Sequence, residues 1–335
     1  ANPLFCARGY NKHMPESALV SIITPSFNQA RYLEQTMRSV LEQDYPRIEY
    51  WVIDGGSTDG SVEIIQRYAP KLAGWISEKD NGQAEAVNKG FTRASGEYVA
   101  WLNSDDLYYP GALKEAVRAL EANPNTPFVF SDVESIDAAG KAFNRMRYGS
   151  WGLADLMRFR IIGQPGVFMR RSALLEAGFL DTSYHYILDH HLWLRLAALQ
   201  EPCYVPGALW AAARVHADAK NTAQAAAFAP EAERLAEWLL SDPRFSPQAS
   251  RMEKQIRAGA QRFSAFYLME ADQPKAALAH YARSFRLSPA AALQDWRRIF
   301  SAIANVLGLG MLTRKARQVR RERYNSDTES ERTDK

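Results

Sequence analysis

The stretch Val52-Ile53-Asp54-Gly55-Gly56-Ser57-Thr58-Asp59-Gly60-Ser61 decides the fold. Apolar residues run into a carboxylate, then into glycines, hydroxyls and a second carboxylate. Val62, Ile65 and Tyr68 follow at helical spacing. That order reads as a buried strand, a breaker-rich loop and an amphipathic helix. Upstream, Leu19 to Ile23 make another apolar strand, which ends in Thr24-Pro25-Ser26-Phe27-Asn28. Leu33, Met37, Val40 and Leu41 then share one helix face, and Tyr45-Pro46 stops it before the strand that starts at Ile48. Downstream, Trp75-Ile76-Ser77 and Tyr98 to Leu102 read as strands around a helix at Ala84 to Phe91. The second of these strands delivers Asn103-Ser104-Asp105-Asp106 at its C-terminal end, where ligands gather in open α/β sheets. A helix over 112–122, strands at Phe128 to Phe130 and Gly166 to Met169, and helices opened by Ser172 and spanning Asp189 to Leu199 continue the rhythm. The class is α/β, a β-α-β rhythm with helices covering a sheet.

Past about Asn221 strand signals give way to alanine-rich helical periods, so a helical region follows. The reading is an N-terminal extension over 1–18, an α/β domain over 19–220, a helical C-terminal region over 221–324 and a disordered tail over 325–335. Lys275 to Ala282 with Leu287-Ser288-Pro289 has the look of one helical-hairpin repeat. The 335 residues are 47% apolar and 24% charged, ordinary globular composition, and a net charge of +3 is too small to point to nucleic acid. Cys6 and Cys203 have no zinc-ligand spacing and no disulfide framework, so a reducing, cytoplasmic setting is expected. No apolar run is long enough to span a membrane. The apolar residues Ile299 to Leu309, followed by Arg314, Lys315, Arg317, Arg320, Arg321 and Arg323, fit peripheral contact with an anionic membrane face, against the plainer reading of a packed last helix with a solvated basic tail.

The 54–61 loop suits a phosphate or nucleoside at a helix N-terminus, or it is a turn in which Ser57 or Asp59 caps the next helix. It is neither a P-loop nor the dinucleotide fingerprint. Adjacent Asp105 and Asp106 invite a hard divalent cation; the alternative is a solvated turn with an aspartate cap.

Taken together, Val20 to Asn28, Val52 to Ser61, Asn81-Gly82-Gln83 with Ala86, Asn88, Lys89 and Gly90, and Gly96 to Asp106 closely resemble the family 2 glycosyltransferases. The resemblance continues through Gly163 to Arg171, Gly178 to Asp181 and Asp189-His190-His191-Leu192-Trp193-Leu194-Arg195-Leu196. It implies a GT-A nucleotide-sugar-binding, Rossmann-like fold. By the same resemblance Thr24, Pro25, Phe27, Asp54 and Gly56 would serve the nucleotide, with Asp54 accepting a hydrogen bond from the base, and Asp80, Gln83 and Asn88 would border the nucleoside. Asn103 and Ser104 would lie against the donor, Asp105 or Asp106 would coordinate Mn2+ or Mg2+ with His216 as a further ligand, and Arg214 would close over the diphosphate. Relatives usually carry Asp where this chain has Asn103. Asp189 matches the catalytic base, although it is also placed to cap its helix.

The implied chemistry is inverting, non-processive transfer from a UDP-, dTDP- or GDP-linked sugar to a glycan or lipid-linked saccharide acceptor in cell-surface polysaccharide synthesis. A sugar nucleotidyltransferase and a non-catalytic glycan-binding relative are the alternatives, separable by their products. Nucleic acid is not an expected partner, and the expected location is cytoplasmic, at the inner membrane face.

Overall fold

Every residue of Val20–Ser26 is buried, as an apolar run flanked on both sides by strands must be. This strand, β1, leads into α1 (Ala30–Leu41), β2 (Ile48–Asp54), α2 (Ser61–Tyr68), β3 (Gly74–Ser77), α3 (Gln83–Arg93) and β4 (Tyr98–Trp101). β1 pairs in parallel with β2 and with β4, and β2 pairs in parallel with β3. The chain then makes β5 (Leu107–Tyr108), α4 (Ala112–Ala122), β6 (Phe128–Ile136), β7 (Ala142–Met146) and α5 (Leu153–Met157). It continues through β8 (Val167–Arg170), α6 (Arg171–Ala177), α7 (Leu188–Leu199) and β9 (Cys203–Arg214). The computed structural model describes residues 18–311 and residue 324. The expected N-terminal extension, but for Ala18, the 325–335 tail and the basic run from Arg314 to Arg323 lie outside the described residues.

The sheet has the order β3-β2-β1-β4-β8-β6-β9-β5, with β7 paired to β6. Strands β8 and β6, and β9 and β5, are antiparallel additions to the parallel half. Strand order reverses between β1 and β4, so a crevice opens beyond their C-terminal ends, where Phe27 and Asn103 sit. Gly90 lets α3 lie directly on β1, because a Cβ there would fall 2.4 Å from the Ile23 side chain.

The α/β reading holds, and so does the helical region beyond it. Three strands went unread. β9 contains Pro206-Gly207 and ends in an alanine run, which together read as a breaker and a helix; pairing with β5 and the hydrogen bond from the Trp210 N–H to Ser131 Oγ (3.2 Å) make it a strand. β5 is too short to show a period, and β7 carries charge on a half-exposed edge. β6 runs six residues past the expected Phe130, through the buried polar residues Ser131, Asp132, Glu134 and Ser135.

Two compact units divide the described chain: 18–135, 145–153 and 162–214 form the α/β unit, and 136–144, 154–161 and 215–311 belong to the second. The division thus falls at Val215, where the sequence reading put it at 221. In the second unit α8 (Lys220–Ala223), α9 (Phe228–Ser241), α10 (Ser246–Glu270), α11 (Pro274–Leu287), α12 (Pro289–Leu293) and α13 (Trp296–Val306) follow in order, with no strand after β9 among the described residues. Small side chains let these helices pack closely: Ala229, Ala265, Leu268, Ala277 and Tyr281 form one buried cluster. No described helix is long and apolar enough to cross a membrane.

Candidate active site

The loop after β2 is tied down from within. Asp54 is fully buried, and its carboxylate accepts the backbone N–H groups of Gly56 (3.0 Å) and Ser57 (2.9 Å) and the hydroxyls of Ser57 and Ser77. Any hydrogen bond from a nucleotide base has to share oxygens already in use. Gly56 takes φ +83°, which an L side chain resists, and a Cβ on Gly55 would meet the Asp80 carboxylate at 2.8 Å. Farther along, Ser57 Oγ accepts the Asn28 N–H, Ser61 Oγ the Gln29 N–H, and Asp59 the Ala30 N–H at 2.9 Å. Burial alone would raise Asp59, but the Ser61 hydroxyl and the backbone donors outweigh it and hold the carboxyl below its ordinary value. This loop therefore ties down the start of α1, and the hydroxyls of Ser57 and Ser61 already donate to Asp54 and Asp59.

Two neighbours on β1 are likewise turned inward. Thr24 is wholly buried with its hydroxyl 2.9 Å from that of Tyr50, a correction to its expected place at the nucleotide, and Pro25 is buried in the sheet. Phe27, in contrast, is 59% exposed just past the strand end, an apolar face open to a planar ring.

A polar chain runs from α3 to the acidic turn. Gln83 Nε2 donates to Asn103 Oδ1 (2.7 Å), Asn103 Nδ2 donates to Asp106 (3.2 Å), and the Arg214 N–H donates to the other Asp106 oxygen (2.9 Å). Burial pushes the Asp106 carboxyl well above its ordinary value and the Asp105 charge adds to this; the Arg214 N–H and the Asn103 amide oppose it. Asp106 and Ser104 are buried, whereas Asp105 is partly exposed. Arg214 is 3% exposed: its guanidinium donates to the Asp105 carbonyl (2.8 Å) and to Gln35 (2.7 Å), and lies over the Tyr32 ring. It braces the acidic turn from beneath instead of closing over a diphosphate, which corrects its expected role. Asn88 is also reassigned, because its amide donates to the Leu180 carbonyl (2.8 Å) and accepts the Leu180 N–H (3.0 Å), clamping that segment. Asp80 accepts the Gly82 N–H (2.9 Å) and stays partly exposed. His216 is buried in the second unit, and the described residues contain no group of three or more His, Cys, Asp or Glu able to hold a metal. Asp105, Asp106 and His216 are thus not a preassembled cage.

Asp189 stands in the first turn of α7, with an oxygen 2.7 Å from the His190 N–H. The Leu-Trp-Leu-Arg sequence anchors that helix. Trp193 stacks on Trp101 (centroids 5.3 Å), two residues ahead of Asn103, and Arg195 donates to the carbonyls of Ala177, Gly178 and Phe179, closing the end of α6. The base candidate and the acidic turn hang from one aromatic pair. His190 and His191 are buried, not displayed on a helix face; the His191 ring packs on Tyr184 at 4.5 Å. Sequence reasoning missed Tyr148, whose hydroxyl accepts the Gly163 N–H (2.9 Å) and feels the Asp189 charge, because no motif surrounds it. Gln164 sat in a matched segment without an assigned role. Its Nε2 donates to the Trp101 carbonyl at 2.6 Å, tying that turn to β4.

Residues 21–174 match the model of glycosyl transferase family 2. Residues 21–174 are a family 2 glycosyltransferase domain. An uncharacterized glycosyltransferase of Rickettsia typhi is 31% identical over 62% of this chain and 66% of its own length. The putative teichuronic acid biosynthesis glycosyltransferase TuaG of Bacillus subtilis is 42% identical over 46% of this chain and 62% of its own. The chain spans between about a quarter and two thirds of the length of such curated relatives. Among solved structures, residues 1–349 of S. aureus TarS superpose over 95% of this chain and 92% of that one, with TM-score 0.58 and 17% identity. The mannosyltransferase PcManGT of Pyrobaculum calidifontis, solved with GDP-Man and Mn2+, covers 92% of this chain and 87% of that one at TM-score 0.56 and 23% identity. The family 2 domain therefore has the GT-A fold, and its acidic turn follows β4 at the same sheet edge where Phe27 follows β1.

Proposed function

We propose that the chain transfers a sugar, with inversion and one addition at a time, from a nucleotide-sugar donor to a hydroxyl of a glycan or glycoconjugate acceptor in cell-surface polysaccharide synthesis. The observation that carries this is the Trp101–Trp193 stack, which holds Asp189 and the Asn103–Asp106 turn to one core. In this reading Phe27 faces the base and Asp80 and Gln83 border the nucleoside. Asp189 takes the proton from the acceptor hydroxyl as its oxygen attacks the anomeric carbon opposite the nucleotide. The paired carboxylates fit a divalent cation, since burial, with the Asp105 charge beside it, raises the cost of ionising Asp106. Asp105 with donor diphosphate oxygens would hold Mn2+ or Mg2+, which when bound offsets charge on the departing diphosphate. The name of TuaG favours an acidic polysaccharide or its precursor as acceptor. A panel of UDP-, dTDP- and GDP-sugars titrated with and without Mn2+ tests the reading. One nucleotide class is expected to bind with metal dependence and to yield free nucleoside diphosphate; release of pyrophosphate instead would make the chain a nucleotidyltransferase.

The same reading includes work at the cytoplasmic face of an anionic membrane. On α13 and its end, Trp296, Phe300, Ile303 and Leu307 are 51%, 64%, 40% and 68% exposed at spacings of four, seven and eleven, one helix face without cover. The cationic sequence from Arg314 to Arg323 follows, worth at most about 1 kcal/mol per cation near anionic lipid. Phosphatidylglycerol vesicles are expected to sediment the protein in low salt, and the Phe300→Glu, Leu307→Glu variant is expected to stay in solution. Equal, salt-insensitive sedimentation of both would reject the contact.

A further inference from the structure

Within the second unit a cleft of about 240 Å³ is lined by Asp155, Arg158, Arg160, Gln255 and Arg262, together with residues from the α12 segment. Its charges do not balance. Arg158 and Arg160 share Asp155 at 3.7 and 3.4 Å, and Arg262 and Arg298 share Asp295 at 3.5 and 3.0 Å. Among the described residues, three guanidinium groups and one carboxylate line the cleft. Arg262 is only 17% exposed, and burial lowers its pKa; Asp295 opposes this, while the charges of Arg160 and Arg298 add to it. Like charges gathered where water is scarce are relieved by an anion that several of them can grip.

The arginines are also held in place before anything binds. Phe159, between Arg158 and Arg160, has φ +60°, a conformation that a bulky residue keeps only when its surroundings enforce it, and such strain collects at binding sites. Its ring is buried and lies 5.9 Å from that of Phe263. Its carbonyl accepts from Arg262 at 3.3 Å, and Arg158 donates to Gln255 at 3.4 Å. Beneath it, α10 presents Gly259 so closely that a Cβ there would sit 2.3 Å from the Arg158 carbonyl. The 158–160 backbone is clamped to α10, with one arginine on each side of the strained residue.

We infer that this cleft binds a phosphate group, gripped by Arg158, Arg160 and Arg262. A phosphate is favoured over a single carboxylate because it carries up to two charges, matching the cationic surplus, and offers oxygens to more than one guanidinium fork. Its use rests on the transfer reading above: the phosphate would be one borne by the glycoconjugate acceptor.

Calorimetry and thermal unfolding with inorganic phosphate test the site, with glycerol 3-phosphate as the esterified form and glucuronate as the carboxylate. Arg158 and Arg160 are 42% and 37% exposed, so Arg158→Gln with Arg160→Gln leaves the buried Arg262 in place and the fold standing. Wild type is expected to be stabilised by inorganic phosphate, with glucuronate weaker, and the double variant to bind about tenfold or more weakly, some 1.4 kcal/mol. Binding of glycerol 3-phosphate as well as free phosphate would identify an esterified group as the ligand, and free phosphate alone would confine the site to the inorganic ion and remove the acceptor from the inference. Equal stabilisation of wild type and double variant would place the phosphate elsewhere and overturn the assignment, as would no binding. Should the double variant melt without added phosphate, Arg160→Gln alone gives the same readout. Donor hydrolysis is measured beside it: its absence in wild type would sink the transfer reading and leave the phosphate result standing.

Discussion

Replacing Asp189 with asparagine is expected to lower sugar transfer by roughly 10²–10⁴-fold, the usual contribution of a positioned acid–base group, while the fold and the metal-dependent affinity for donor persist. The fold persists because α7 is held elsewhere along its length, by Trp193 on Trp101 and by Arg195 on three carbonyls of the α6 end. Nor does the amide cost the helix its cap: against the sequence expectation, Ile187 and not Asp189 holds the N-cap position of α7, and no side chain caps it. If Asp189 served only its helix, the substitution would cost little. His191→Ala gives the contrast: His191 is 4% exposed against Tyr184, so truncation removes packed volume and is expected to show in the melting temperature more than in the rate. Single-turnover transfer at saturating donor across a pH series separates the two. Near-normal transfer by Asp189→Asn beside a large loss in a still-folded His191→Ala would move the base to the histidine.

In the parallel half of the sheet β1 and β4 were legible because they are buried along their whole length and read as apolar runs, and β2 because its apolar end runs into the glycine loop at 55–60. β9 was not, because an alanine run has no period of two and its strand state comes from its neighbours, not from its own residues. The same division runs through the site. Asp105 and Asp189 announce themselves by position, at a strand end and at a helix start. The inward turn of Thr24, the hold of Ser57, Asp59 and Ser61 on the start of α1, and the bracing role of Arg214 depend on partners from 26 to 109 residues away, and no local pattern carries that information. Arg214 shows the point most clearly. In sequence it is a cation expected, by resemblance, to close over the diphosphate; in the fold it is buried, bonded to the turn that it was expected to face across a ligand.

Asp105→Asn and Asp106→Asn, adjacent and chemically identical, are expected to fail in different ways. Asp105 is partly exposed, so exchanging it for a neutral amide removes an anionic ligand and should weaken metal-dependent donor binding by roughly 10²-fold or more, with little change in melting temperature. Asp106 is buried, accepts the Arg214 N–H on one oxygen and the Asn103 amide on the other, and its own carbonyl accepts the Thr36 hydroxyl at 2.8 Å. An asparagine there keeps one acceptor and sets an NH2 group against another donor, so the turn loses a buried hydrogen bond and leaves a donor unsatisfied, a cost of about 1–3 kcal/mol in stability. Its effect on donor binding should follow from that loosening and shrink when the protein is measured well below its melting temperature. Isothermal titration of the donor with Mn2+, run beside thermal unfolding for both variants, distinguishes ligand from strut. Undiminished, metal-dependent binding by Asp105→Asn would transfer the ligand role to the buried neighbour, and full wild-type activity in excess chelator would remove the cation from the reaction.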